Sequence, residues 1–422
     1  MSDSDSSNTP GSQPDSVFVI VGAGQAGGEV AGELRKQGYT GRVLLIGEEE
    51  QIPYKRPPLS KGFLSGAITE EALYVSPRAK LEQLKIEFIG STRVARIDRA
   101  RHVLVLADGR EQSYDKLALT TGGRARLLNQ PGTDKSNVLP LRSIADVKQL
   151  QPRCVAGQRA LVIGGGFIGL ETAAVMVKLG LKVTVLEGLP RVLARVTAPE
   201  VSSFFERMHR DAGVDLRTGA QIESYETEGD RVCAVKLADG SRIETDFIIV
   251  GIGVVPNVEL AIEAGLNVDN GIVVDEYART NDPDIVAAGD CSNHPSNFAG
   301  RRIRLESVQN AMEQGRIAAR AMLGKNEAYQ NVPWFWSDQY DLKLQMVGLS
   351  QGYDQLVVRG DPASQRNFAA FYLKAGKLIA ADTVSRPGEF MLAKKWVAEG
   401  AVLPPAQLAD DSQPLKNLQA AA

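Results

Sequence analysis

Hydrophobic positions along the chain fall into short unbroken runs, each closed by glycine or a carboxylate. Val17 to Val21 is wholly apolar, which suits a strand buried on both faces of a parallel sheet, and Gly22, Gly24 and Gly27 follow it at G-x-G-x-x-G spacing before a helical stretch. A second strand, Val43 to Ile46, ends in Gly47-Glu48. The same order returns at Ala160: an apolar run, Gly164, Gly166 and Gly169, then a strand from Lys182 to Leu186 that ends in Glu187. Gly22 matches Gly164, Glu29 matches Glu171 and Gly38 matches Gly180, each pair 142 residues apart, so the βαβ unit is duplicated and Glu187 reads as the counterpart of Glu48.

Between and after the repeats the pattern predicts a hairpin (Val103 to Leu106, then Tyr114 to Thr121) about Asp108-Gly109. Val192 to Asp246 reads as helix, strand and a hairpin at Asp239-Gly240, and Phe247 to Val255 as a buried strand that stops at Pro256-Asn257. A short strand runs into Gly289-Asp290, and Ser307 to Leu323 is helical. From Pro333 the strand-like stretches 344–349, 356–358, 368–373 and 378–384 precede a helix around Glu389 to Glu399. The fold class is α/β, with two Rossmann-like dinucleotide-binding domains plus a C-terminal α+β domain.

Each glycine has a physical task. The first permits the sharp turn, the second lets backbone approach a pyrophosphate, the third lets helix pack on strand, and the phosphates sit at the helix N-terminus. An acid about twenty positions on is placed to bind a ribose hydroxyl, which gives Glu48 and Glu187 that role. Glu187 would also repel a 2′-phosphate on that ribose, with Arg191 the nearby cation that complicates this.

Composition narrows the partners. With 422 residues, 43% hydrophobic and 23% charged, the chain holds two or three ordinary globular domains, and its net charge of −3 offers no whole-protein attraction to nucleic acid or anionic membrane. The apolar run Ala160 to Leu170 is too short to span a bilayer. Residues 1–15, rich in Ser, Asp and Pro, read as a disordered tail rather than a targeting peptide, so a cytoplasmic protein is expected. Cys154, Cys233 and Cys291 stand too far apart for a metal or iron–sulfur site.

With Thr121-Gly122-Gly123 between the cradles and Gly289-Asp290 after them, the chain resembles the two-domain flavoprotein oxidoreductases of the glutathione-reductase fold. The runs YKRPPLSK (54–61), RLESVQNA (304–311) and Pro333-Trp-Phe-Trp-Ser-Asp-Gln-Tyr340 are similar to the NADH-dependent ferredoxin reductases that serve bacterial oxygenases, over nearly the whole chain from Val17. Thr120 departs from the alanine usual before Thr-Gly, a change expected to be minor. The resemblance implies FAD in the first cradle (16–118 with 249–329), NADH in the second (119–248), and a C-terminal domain at 330–422. It assigns Gly22, Gly24, Gly27 and Glu48 to the adenosine half of FAD, Arg56 and Lys61 to its other face, and Asp290 to a ribityl hydroxyl. Val308 would direct backbone N–H to the flavin pyrimidine, and Val94, Thr121 and Gly122 would also contact FAD; Gly164, Gly166, Gly169, Glu187 and Gly253 would hold NAD. Lys61, Glu171 and Trp336 form the implied catalytic set: Lys61 and Glu171 meet where nicotinamide reaches flavin, and Trp336 lies either near the flavin ring or in the core. No metal is implied.

Disulfide-reducing relatives need a cysteine pair beside the flavin, and the peroxidase and oxidase relatives a single cysteine after the prolines; Lys61 to Gly66 has none. Electrons must therefore leave the flavin for an external acceptor; the resemblance implies that this is a one-electron [2Fe-2S] ferredoxin that feeds a P450 monooxygenase or, alternatively, a ring-hydroxylating dioxygenase. A signalling flavoprotein resembling apoptosis-inducing factor is the alternative from another class. Residues 301–325 carry six Arg or Lys against two Glu, with Arg316 and Arg320 on one helix face. That segment, extended by Lys343, is either the ferredoxin dock on a monomeric reductase or an ordinary solvated face.

Overall fold

The computed structural model describes residues 15–418, so the expected disordered tail lies outside the described residues except for Asp15. The chain forms two compact units, residues 1–55, 73–124 and 256–331 in one, and 56–72, 125–255 and 332–422 in the other.

Each unit is built on a five-stranded, all-parallel sheet. In the first unit the strand order is Ile285–Ala287, Lys116–Leu119, Val17–Val21, Arg42–Ile46, Ile86–Ile89. Both faces of the first strand are covered, as its unbroken hydrophobicity requires: Phe18 and Ile20 pack with Val30 and Leu34 of the helix Gln25–Lys36, and Val19 and Val21 pack with Leu104 and Leu106. Each such fully buried side chain contributes roughly 1.5–3 kcal/mol. The second unit repeats the plan with Asp215–Thr218, Lys182–Glu187, Arg159–Ile163, Phe247–Val250 and Val138–Pro140, but its outermost strand comes from before the repeat instead of from late in the chain.

The sequence expectations need three adjustments. Tyr114 to Thr121 is not the second arm of a hairpin: Val103–Leu106 turns at Gly109 into the short Glu111–Ser113, and Lys116–Leu119 leaves to pair parallel with Val17–Val21. Two buried edges compete for one apolar run, and the parallel core wins because Leu117, Ala118 and Leu119 are all fully buried there. The run Phe247 to Val255 breaks at Gly251–Gly253 into Phe247–Val250 and Val254–Pro256. The C-terminal sheet, also in the second unit, is antiparallel in the order Trp334–Gln339, Leu342–Gly348, Lys377–Val384, Phe368–Lys374, Gln355–Arg359, and so begins one strand earlier than the pattern indicated.

Candidate functional site: two matched cradles and a Lys–Glu pair

The two glycine turns have the same geometry. Gly22 and Gly164 take φ of +110° and +111°, and a Cβ on either would sit 2.2 or 2.4 Å from a backbone oxygen of the neighbouring strand's end, Thr120 or Gly251. A Cβ on Gly27 or Gly169 would lie 2.0 Å from the carbonyl oxygen of Gly22 or Gly164. At Gly24 and Gly166, in contrast, nothing stands within 4 Å, and both are helix N-caps without a side-chain cap. Two tight glycines and one open glycine before free helical N–H groups is the shape a pyrophosphate requires, so the residues present fit a dinucleotide in each unit. Gly253 is also open, at φ +113°.

The acids differ between the halves. Val21 pairs with Ile46 and Ile163 with Leu186, so the register places Glu187 opposite Gly47, and Glu48 one residue further on. The equivalence of Glu48 with Glu187 is thereby corrected; a one-residue difference at a strand end cannot be seen from spacing alone. Glu187 is fixed by two backbone donors, Gly165 N–H at 2.6 Å and Leu189 N–H at 2.7 Å, against the glycine turn. Glu48 is exposed and 3.5 Å from Arg93. Size is exchanged across the turn: Ala23 faces Gly47 in the first half, Gly165 faces Glu187 in the second. The cation thought to complicate Glu187 is occupied elsewhere, since Arg191 donates to the carbonyls of Thr197 and Ala194 and to Ser202 Oγ.

Around the first cradle, Thr120 Oγ1 donates to Gly22 O at 2.7 Å, so the departure at this position braces the turn itself. Thr121 Oγ1 donates to Asn257 O, while Asn257 returns bonds from its side chain to Thr121 O and from its N–H to Gly122 O. Gly122 is open, at φ +62°. Val94 is a core residue, its side chain buried with Leu104 and Leu106. Asp290 does not cap a helix; it follows the strand Ile285–Ala287. Val308 is the first residue of a helix capped by Ser307, whose Oγ accepts from Asn310 N–H.

In the second unit, Glu171 of the helix Phe167–Lys178 is buried to 3% and accepts three bonds, from Lys61 Nζ at 2.7 Å, Ser60 Oγ at 2.6 Å and Ser337 Oγ at 2.7 Å. A buried carboxylate needs such saturation. Lys61 also donates to Pro57 O, and Arg56 to Arg142 O. Trp336 stacks obliquely beside Trp334, ring centroids 5.5 Å apart, on the strand that carries Ser337. Ser60 and Ser337 were not singled out from the sequence; the signal available was Ser337 and Gln339 alternating at the end of a strand that opens with three aromatics.

Arg316 and Arg320 do share a helix face, but that face is not free: Arg316 pairs with Glu29 at 3.1 Å, and Arg320 with the buried Glu33 at 2.9 Å and with Glu327. The charge of these two cations is therefore offset by the acids of the first-cradle helix. Lys343 is exposed on Leu342–Gly348. Among the described residues no cluster of His, Cys, Asp or Glu could hold a metal, and no helix is long and apolar enough to cross a membrane.

Comparison with known proteins gives these features a setting. Residues 16–315 match the family "Pyridine nucleotide-disulphide oxidoreductase", and 334–419 match "Reductase C-terminal". The chain is 46% identical to putidaredoxin reductase of Pseudomonas putida, over 96% of this chain and 97% of that one. It is 45% identical to the ferredoxin reductase subunit of the 5,5′-dehydrodivanillate O-demethylase of a Sphingobium species, over 96% and 98%. Its fold superposes on the solved covalent putidaredoxin reductase–putidaredoxin complex with a TM-score of 0.92, at 45% identity, covering 96% of this chain and 98% of that one. The chain therefore belongs to the pyridine nucleotide-disulphide oxidoreductase family, in the branch that carries the reductase C-terminal domain.

Proposed function

We propose that this protein passes electrons from NADH through FAD to a [2Fe-2S] ferredoxin that supplies a P450 monooxygenase. The observation that carries the reading is two intact dinucleotide cradles in a chain whose three cysteines are all free thiols. Burial pushes the Cys154 thiol up to about 11 and raises that of Cys291 as well, so neither is a ready nucleophile at neutral pH. In this reading residues 16–118 with 249–329 hold FAD, 119–248 hold NADH, and 330–422 form the C-terminal domain.

FAD supplies the ability to accept a hydride and release electrons singly. The chain's own part is binding and orientation. Gly24 and Gly166 leave room for pyrophosphates at helix N-termini, and Asp290 and Val308 serve the ribityl and pyrimidine ends. Glu187 accepts from the NADH ribose and excludes a 2′-phosphate. Lys61 and Glu171 orient the nicotinamide and hold charge beside it without abstracting a proton, with Trp336 nearby. The ferredoxin docks by Arg316, which keeps about two-fifths of its side chain exposed while clamped to Glu29. The protein works as a cytoplasmic monomer.

Anaerobic mixing with NADH, followed by addition of a purified [2Fe-2S] ferredoxin, tests the reading. Flavin bleaching and then stoichiometric ferredoxin reduction are expected; turnover of a disulfide substrate without ferredoxin reduction would reject it. The reductase component of an anthranilate 1,2-dioxygenase system is also 40% identical to this chain, so reconstitution with a ring-hydroxylating dioxygenase is the second arm.

A further inference from the structure

Strand Trp334–Gln339 turns Phe335, Ser337 and Gln339 to one side, where Phe335 packs on Phe167 at the start of the second-cradle helix. Ser337, Gln339 and His209 of the helix Pro199–Asp211 are all at most 1% exposed. Their polar atoms form a continuous series. Ser337 Oγ is 2.7 Å from Glu171 Oε1, Gln339 Nε2 is 3.2 Å from Ser337 Oγ, Gln339 Oε1 is 2.9 Å from His209 Nε2, and His209 Nδ1 is 2.9 Å from Tyr340 Oη.

The carboxylate at one end dictates the direction of every bond. Glu171 only accepts, so Ser337 spends its single proton there. Gln339 must then donate its NH₂ to Ser337 and present its carbonyl to His209. That carbonyl only accepts, so His209 carries its proton on Nε2; in the neutral ring Nδ1 is left as an acceptor, and Tyr340 donates to it. We propose that Tyr340, His209, Gln339 and Ser337 form a one-way hydrogen-bond chain that positions the Glu171 carboxylate from the outer end of the C-terminal domain. Its bearing on catalysis rests on the role assigned above to Lys61 and Glu171.

Two further observations agree. Burial holds the His209 imidazole down at about 4, so the ring is neutral at physiological pH, as the chain requires. Tyr340 sits at the hairpin turn after Gln339 with φ +57°, a conformation usually left to Gly or Asn, and the phenol–imidazole bond supplies a reason for a tyrosine there. The chain is not a proton wire, because passage through Gln339 would require its imidic acid. It transmits orientation, and each bond polarises the next.

The chain can be read without turnover. The protein has three histidines, so ¹⁵N-histidine NMR of the FAD-loaded enzyme resolves the tautomer of His209. The Nε2–H form is expected. In Glu171→Gln, Lys61 and Ser60 keep the amide oxygen, the NH₂ turns to Ser337, the whole chain reverses, and His209 switches to Nδ1–H. An Nδ1–H ring in the parent, or an unchanged tautomer in Glu171→Gln, overturns the proposal. For the functional arm, Ser337→Ala should slow single-turnover reduction by NADH about tenfold, the loss of one charge-assisted bond, with a smaller change in NADH Kd and with rescue by Ser337→Thr. If Lys61→Ala leaves that rate unchanged, the assignment to Lys61 and Glu171 fails while the tautomer result still decides the chain. A normal rate in Ser337→Ala alongside a slow Lys61→Ala overturns the positioning role.

Discussion

Glu29 and Glu171 occupy the same place in the two repeated helices, yet Glu29 is paired with Arg316 and Glu171 with Lys61. One copy of the duplicated carboxylate clamps helix to helix. The other is buried with three donors, Lys61, Ser60 and Ser337.

Removal of that second carboxylate gives the first prediction. Glu171→Ala should reduce the single-turnover rate of flavin reduction by NADH by at least about tenfold while FAD stays bound, because a 1 Å loss of orientation costs on that order or more. Stopped-flow absorbance and a FAD release assay measure the two quantities; unchanged single-turnover reduction removes the assignment.

Coenzyme choice should follow Glu187. With its carboxylate fixed by Gly165 and Leu189 and Arg191 engaged elsewhere, kcat/KM for NADH should exceed that for NADPH by about 100-fold or more, and Glu187→Ala should narrow the gap by at least about tenfold. Comparable kcat/KM for the two coenzymes in the parent protein contradicts this.

Docking through Arg316 can be separated from its structural clamp. Arg316→Glu alone faces Glu29 with a like charge, whereas Arg316→Glu with Glu29→Arg restores the pair and moves the cation. If the cation itself attracts an acidic ferredoxin, both variants slow ferredoxin reduction at low salt, the difference fades as salt screens charges over about 10 Å, and reduction of a small neutral dye is unaffected. Full recovery in the double variant would show that only the clamp mattered.

Thr120→Ala should weaken the first cradle modestly. Loss of the hydroxyl bond to Gly22 O costs about 1 kcal/mol, visible as roughly fivefold faster FAD dissociation in mild denaturant. Unaltered retention would mean the turn holds itself.

Two buried histidines and a buried aspartate set opposite pH dependences on stability. His209 and His294 are each held down to about 4 by burial, so the unfolded chain takes their protons first; their stabilisation is complete above about 6.5 and is lost as pH falls toward 4. Asp382, pushed up to about 7 by burial beside Tyr372, acts the other way: its contribution is complete below about 4 and is lost as pH rises through 7. The urea midpoint of Asp382→Asn relative to the parent should therefore climb between pH 4 and 7, by up to a few kcal/mol in free energy. A constant offset across that range would contradict it.

Much of the fold was legible because its periodicities are strong. Both glycine turns, the helix capped by Ser307 and four of the five C-terminal strands stand at or near their expected positions. What escaped was decided by tertiary competition. Lys116–Leu119 could serve a hairpin or a parallel sheet, and only burial on both faces settles it. Arg316 and Arg320 looked like a free cationic face because their acidic partners lie 287 residues away in sequence. Ser60 and Ser337 converge on Glu171 across 111 and 166 residues, a convergence that spacing cannot encode.

The exchange of bulk between Ala23/Gly47 and Gly165/Glu187 makes the two halves poor donors to each other. A glutamate at 47 would thrust its Cβ to 2.8 Å from that of Ala23, and an alanine at 165 would come within 3.0 Å of Glu187. The first cradle therefore cannot take its acid at 47, the position Glu187 holds in the second, without displacing Ala23. Moving that acid takes a glycine at 23 as well, so positions 23 and 47 must change together and single-step drift meets a barrier at this pair.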